Sequence, residues 1–213
     1  MIEWSWVRGN LGLLGTALGQ HAELSGIAVA LGLLISLPLS VLAWRFHALR
    51  TPIFTGTGLL YTVPSIALFV LVQPITGYFS LTSAEVALVG YTLLILVRNT
   101  VAGLDAIPDE IRESAQAIGY TFPSQLVRVY LPLSLPSMFA GLRVATVTVV
   151  GLVTVTAFIG QGGLGQVIIN GFTEAFATPI IVALVLSIAL AAAGDAFFVF
   201  LERVTLRWSR TRR

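Results

Sequence analysis

Few residues in this chain have the types and spacing that chemistry requires. Gly160-Gln161-Gly162-Gly163-Leu164-Gly165 satisfies G-x-G-x-x-G, the pattern in which a glycine turn cradles a dinucleotide pyrophosphate. That use needs a strand before the turn and a helix after it, in a soluble βαβ unit. The preceding VTVVGLVTVTAFIG is rich in β-branched residues, yet it belongs to an apolar segment of membrane length. The pattern is therefore read as structural, with glycines that turn the chain tightly and let backbone pack on backbone. All 12 basic side chains are arginine. A P-loop needs its lysine to reach the phosphates, which excludes a standard ATP-hydrolysing subunit. With no cysteine there is neither a thiolate nucleophile nor a disulfide framework. His21 and His47 stand alone, so no metal site is expected. No nucleophile–base–orienter set exists within the apolar segments, so neither catalysis nor a cofactor is expected. Ionisable groups do occur there: Asp195, with Glu202 and Arg203 beyond it, and Glu85 and Arg98 near segment ends. Asp195 reads as a satisfied acid near the interface rather than a proton relay.

The dense set of polar groups lies in 105–136, DAIPDEIRESAQAIGYTFPSQLVRVYLPLSLP, with four acids and two arginines. Pro108 suits a first helical turn, where its missing N–H costs nothing. Ile111, Ala115 and Ile118 then fall on one face, with Asp109, Glu110, Arg112, Glu113 and Gln116 mostly elsewhere. Gly119 ends that helix in a left-handed cap. Thr121 can cap a second short helix with Pro123 in its first turn and Leu126, Val129 and Tyr130 behind it. The expected product is a polar helix–turn–helix with a small apolar face, inserted between membrane spans and shaped to be gripped from outside the membrane.

Glu113-Ser114-Ala115, then Gly119, then Val129-Tyr130-Leu131-Pro132, resembles the EAA loop of ABC importer permeases. Every spacing of that pattern agrees, and Ser114 in place of the first alanine is the one departure. The resemblance implies a type I importer permease whose cytoplasmic coupling helix, within 105–136, docks in a groove of a separate ATPase subunit. It assigns the coupling contact to Ile111, Glu113, Ser114, Ala115, Ile118, Gly119, Leu131 and Pro132.

Composition agrees with a membrane chain. Of 213 residues, 56% are hydrophobic and only 10% charged, and mean hydropathy is +0.92. A soluble domain carries about a quarter charged residues. Residues 1–20 are not a signal peptide, since Glu3 precedes Arg8 and the long apolar run begins only after Glu23. Trp4, Val7, Leu11, Leu14 and Leu18 recur at helical steps, which predicts an external amphipathic arm at the membrane surface, with a loosely ordered arm as the alternative because Gly9, Gly12, Gly15 and Gly19 interrupt it. Five spans are expected at about 24–44, 53–72, 84–104, 137–159 and 179–201, each close to the twenty or so residues a bilayer requires. Arg45, Arg50, Arg98, Arg112, Arg128, Arg143 and the tail Arg203, Arg207, Arg210, Arg212 and Arg213 collect on one side, leaving Arg8 on the other. The positive-inside rule then places the coupling stretch and C-terminus in the cytoplasm and the N-terminus outside. No internal repeat or linker is visible, so one all-α membrane domain, 1–213, is expected in the cell membrane of a prokaryote.

Ala145, Thr146, Thr148, Gly151, Thr154 and Thr156 crowd the fourth span. Such residues serve close helix packing or line a polar path for solute, and Thr148, Thr154 and Thr156 are the path candidates. TAFIGQGGLGQVI is similar to the corresponding region of the osmoprotectant permease subfamily, for glycine betaine, choline or carnitine. Together the resemblances imply a non-enzymatic transport subunit working with cytoplasmic ATPases, a second permease subunit and an extracytoplasmic solute-binding protein, with membrane lipid around it and no nucleic acid. The alternatives are a permease of the same fold for another small solute, such as an amino acid, or a secondary transporter. The latter usually shows repeats and midplane charges.

Overall fold

The computed structural model describes residues 2–206, so Arg207, Arg210, Arg212 and Arg213 lie outside the described residues. Every element among them is helical. The chain starts with a short α1 (Trp4–Gly9), followed by α2 (Leu11–Arg45). The expected break between a surface arm and a first span near Glu23 is absent, because α2 runs 35 residues without interruption. Gly12, Gly15 and Gly19 each cost about 1 kcal/mol of helix propensity. Tertiary burial overrides that cost, since Leu14 and Ala17 pack with Leu164, Val167 and Ala183 from the far end of the chain.

The expected second span, 53–72, is two helices, α3 (His47–Thr62) and α4 (Ser65–Thr76), bent by 107°. Pro64 sets the break. It excludes its predecessor from the helical region, and Val63 is extended at φ −64°, ψ 131°. The Val63 carbonyl released from the helix accepts the Tyr91 hydroxyl. The third span is α5 (Leu81–Asp105), capped by Ser80, whose hydroxyl accepts from the Ser83 N–H at 3.1 Å. It is the central helix and packs against α2, α3 and α4.

Beyond α5 come α6 (Asp109–Ala117) and α7 (Phe122–Gln125), which passes through a π-turn (Leu126–Tyr130) into α8 (Leu131–Val153) and a 3-10 segment (Thr154–Ile159). The fourth span was expected to begin at Ser137, but Phe122–Ile159 forms one 38-residue unit. The π-turn is the local adjustment: Pro132 and Pro136 cannot donate to the preceding turns, and Leu131 N–H reaches back five residues to Leu126. The glycine loop, expected over 160–178, holds a helix of its own, α9 (Gly163–Thr173), before α10 (Ala177–Thr205). Among the described residues, four helices are long and apolar enough to cross a membrane, and the bent α3–α4 pair makes a fifth if it is one span.

The core lies between α2, α5 and α8, where Ala28, Leu88, Leu96, Ala145, Val149 and Val153 are essentially inaccessible. The helices cross closely. A Cβ on Gly32 would strike Thr92, and one on Gly141 would sit 2.7 Å from Asn99 Cβ, the small-residue contact favoured where lipid gives no hydrophobic drive.

The N-terminus of α9 is held by α2. Gln20 Oε1 accepts from Gly163 N–H at 3.0 Å, and His21 Nδ1 accepts from Leu164 N–H at 3.3 Å. His21 Nε2–H donates to the Val150 carbonyl at 2.8 Å. A carbonyl only accepts and an amide N–H only donates, so these two bonds fix the neutral tautomer with its proton on Nε2. His21→Leu keeps the bulk and deletes both bonds. It is expected to cost about 1–3 kcal/mol, read as a lower Tm of the purified protein in detergent; an unchanged Tm would mean that neither bond contributes.

Candidate coupling site

The polar stretch folds as a helix that reverses and locks onto two spans. Pro108 occupies the N-cap of α6 at φ −58°, and Asp109 and Glu110 lie in its first turn, where the helix dipole favours acids. Gly119 has φ +88°. Tyr120 N–H bonds to the Ala115 carbonyl at 3.2 Å and Gly119 N–H to the Gln116 carbonyl at 2.9 Å, which is a Schellman cap. Thr121 occupies the N-cap position of α7, as expected, but its hydroxyl makes no capping bond.

Behind this surface stands a rigid support. Arg112 donates to the Leu104 carbonyl at 3.1 Å and to Asp109 at 3.3 Å, and its guanidinium lies 5.5 Å from the Trp44 ring centroid. Trp44 meets Tyr130 edge-on at 5.2 Å, and Tyr130 donates to Gln125 Oε1 at 2.8 Å. Gln125 in turn donates to the Tyr120 carbonyl at 2.8 Å. Arg45 lies over the Phe122 ring, and Arg50 pairs with Asp105. The start of α6 is thereby tied to the C-terminal ends of α2 and α5, and α7 to the root of α8. The sequence marked Trp44 only as an interface aromatic beside Arg45, and singled out neither Gln125 nor the inward role of Arg112, because the partners lie up to 86 residues apart and no local pattern links them.

The expected apolar face of Ile111, Ala115 and Ile118 does not survive as one surface. Ala115 is 5% exposed, whereas Ile111 is 37% and Ile118 73% exposed. Helical spacing put the three together, but the reversal at Gly119 brings the chain back to the Ala115 carbonyl and turns that residue inward. The outward set is Ile111, Glu113, Ser114 and Ile118, with Val127 at 63% exposed. Among the described residues Glu113 makes no ion pair or side-chain hydrogen bond, and the Ser114 hydroxyl bonds to Glu110 O at 2.7 Å. Leu131 and Pro132 are half-buried at the root of α8, away from the outward set.

The path candidates are not brought together. Thr156 is inaccessible, its hydroxyl shared between the Val153 and Gln161 carbonyls. The Thr154 hydroxyl donates to Gly151 O at 2.7 Å. Thr148 lines a cavity of about 400 Å³ with Arg143 and Asp195. That pair is bidentate, Arg143 Nε–H to Asp195 Oδ1 at 2.7 Å and an Nη–H to Oδ2 at 3.1 Å. Asp195 was expected near the helix end; it is satisfied as expected, but it lies ten residues before Thr205, about 15 Å along the axis. Among the described residues no group of acids and histidines could hold a metal ion.

The burial difference on α6 is directly measurable. Ala115→Asp places an unpaired charge inside the chain and is expected to cost several kcal/mol, roughly 2–7 by analogy with buried polar groups. Ile118→Asp, on an open surface, should stay within about 0.5 kcal/mol of the parent. Thermal melts of the two variants in detergent decide; equal losses would show that Ala115 is not enclosed.

With the geometry in hand, similarity to known proteins gives it a family. The family described as "Binding-protein-dependent transport system inner membrane component" matches residues 19–207. The osmoprotectant import permease protein OsmW of Salmonella typhimurium is 40% identical over 168 residues, which is 77% of this chain and 78% of that protein. The choline transport system permease protein OpuBD of Bacillus subtilis is 32% identical over 186 residues, 87% of this chain and 82% of that one. Among solved structures, the inward-facing MetNI methionine ABC transporter superposes with a TM-score of 0.80 at 22% identity, over 92% of this chain and 97% of that chain. An amino acid ABC transporter with histidines gives 0.78 at 16% identity, over 95% and 99%. These two show the fold, a type I ABC importer permease. A match across nearly the whole chain, with a broken second span and a polar helix between the third and fourth, means that the protein belongs to the binding-protein-dependent transport system inner membrane component family, as a multi-pass ABC importer permease.

Proposed function

We propose that the chain, paired with a second permease subunit, forms the membrane pathway for a small osmoprotectant such as glycine betaine, choline or carnitine. The observation that carries the cargo is its 40% identity, over 77% of the chain, to a permease named for osmoprotectant import. ATP hydrolysis belongs to separate cytoplasmic ATPase subunits, and an extracytoplasmic binding protein delivers the solute. The α6 end faces the cytoplasm and the α9 end faces outward, in a prokaryotic cell membrane, with the N-terminus outside and the C-terminus inside.

The mechanism is alternating access. The ATPase groove takes the outward set Ile111, Glu113, Ser114 and Ile118, while Gly119 and Ala115 hold that set in shape. Arg112 and Trp44 tie α6 to α2 and α5, so a displacement of α6 by the closing ATPases moves these spans as a body rather than bending the loop. Leu131 and Pro132 belong to this coupling as the root of α8, where the π-turn lets the span swing. Thr148, beside Arg143 and Asp195, is the path candidate that retains open space.

Three measurements test these roles. In proteoliposomes with its ATPase and binding protein, the complex is expected to import glycine betaine or choline and not sugars; sugar uptake without any response to quaternary amines would refute the cargo and leave the fold untouched. Ile118→Asp should abolish ATPase co-purification; full association would place the docking surface elsewhere. Reporters fused before Trp4 and after Arg213 should read external and cytoplasmic respectively, and both on one side would overturn the orientation.

A further inference from the structure

At the end of the helical body opposite α6, the structure buries a carboxylate that nothing answers. Glu85 on α5 is 8% exposed, and neither of its oxygens has a hydrogen-bond partner. No arginine among the described residues pairs with it, and the charged group acting on it is another acid, Glu23 on α2. Buried acids are ordinarily paired or hydrogen-bonded, and each exception calls for an explanation such as an absent ion. A second acid close by sharpens the anomaly, since ionisable groups within membrane helices are rare and functional by default.

Space for a counter-charge lies next to them. A cavity of about 300 Å³ is lined by Gln20, Glu23, Leu81, Gly160 and Gln161. Glu85 follows Leu81 by one turn on the same helical face. Side chains of a helix lean toward its N-terminus, so the Glu85 side chain leans toward Leu81, which is part of the cavity wall. The rim carries an aromatic residue in an unusual conformation. Phe79 has φ +52°, which is rare for a bulky side chain, and its ring is exposed. Its carbonyl accepts from the Gln161 side-chain amide, which fixes Phe79 beside the cavity wall. Two carboxylates without further acids or histidines do not make a metal site. Diffuse negative charge next to an aromatic ring suits instead a bulky, weakly hydrated organic cation with no N–H to satisfy.

We propose that Glu23 and Glu85, with Phe79 at the rim, form an entry subsite that takes the quaternary-ammonium headgroup of the cargo as it leaves the binding protein. This rests on the osmoprotectant reading above and locates where the permease itself would recognise that cargo. The acids draw the cation between α2 and the outer end of α5, and Gln161 ties the subsite to the glycine loop that seats α9 on Gln20 and His21. Occupancy therefore reaches the contacts that join α2, α8 and α9.

The test uses the assembled permease–ATPase complex with Glu85→Gln, Glu23→Gln and the double variant. Glutamine keeps the shape and removes the charge. Binding-protein-dependent choline uptake into proteoliposomes is expected to fall at least tenfold in the double variant, with ATP hydrolysis in the absence of binding protein unchanged. Without binding protein, choline chloride should raise the Tm of the parental complex and not that of Glu85→Gln, whereas equimolar sodium chloride should raise neither. Glu23 is exposed, so Glu23→Gln reports even if Glu85→Gln fails to assemble, and it should show the same loss of choline protection. Parental uptake in the double variant, or equal protection by sodium, would overturn the subsite while leaving the cargo reading standing. A parental complex that imports no quaternary amine would refute the cargo reading itself, and the subsite with it.

Discussion

Backbone polar groups inside a bilayer have no water to turn to, so each place where a helix is broken must be supplied with a partner. This protein breaks its spans repeatedly, and its few polar side chains are spent at those breaks. Tyr91 answers the Val63 carbonyl released at Pro64. Gln20 and His21 answer the first N–H groups of α9. Thr156 takes the Gln161 carbonyl where the 3-10 segment ends, and Arg112 takes Leu104 O where α5 ends. Remove these and the long helices remain, but their relative placement is lost.

The same economy shapes the coupling region. A helix of nine residues is too short to be stable alone, yet α6 holds its place. It does so because a Schellman cap closes its end and because Arg112 joins it to Trp44 and the end of α5. Ile111 and Ile118 remain exposed on it, while Arg112 and the cap hold it from behind.

Charges within the membrane divide into two kinds. Arg143 and Asp195 answer each other through a bidentate pair on neighbouring helices, an arrangement that offsets much of the desolvation cost of both. No described residue answers Glu85. The first kind joins α8 to α10, and the second marks a place where the folded chain is electrostatically incomplete.

The sequence by itself determined the class, the number of apolar segments and the position of the polar helix, because each rests on a local signal. Apolar runs of bilayer length mark spans, Pro108 and Gly119 mark the two ends of one helix, and the left-handed conformation expected at Gly119 is the one found, at φ +88°. The absence of lysine excluded a phosphate loop with equal economy. Tertiary structure decided what local signals underdetermine. It extended α2 through its glycines, because Leu164, Val167 and Ala183 bury that segment. It turned Ala115 inward although helical spacing grouped it with Ile111 and Ile118, since spacing fixes a face and not what covers it. His21 looked idle as a lone histidine until α8 and α9, well over a hundred residues away, came to either side of its ring. Glu85 looked like an ordinary interface acid until packing in the folded chain buried it. Burial is a property of what packs against a residue, and in this chain the packing partners are distant in sequence.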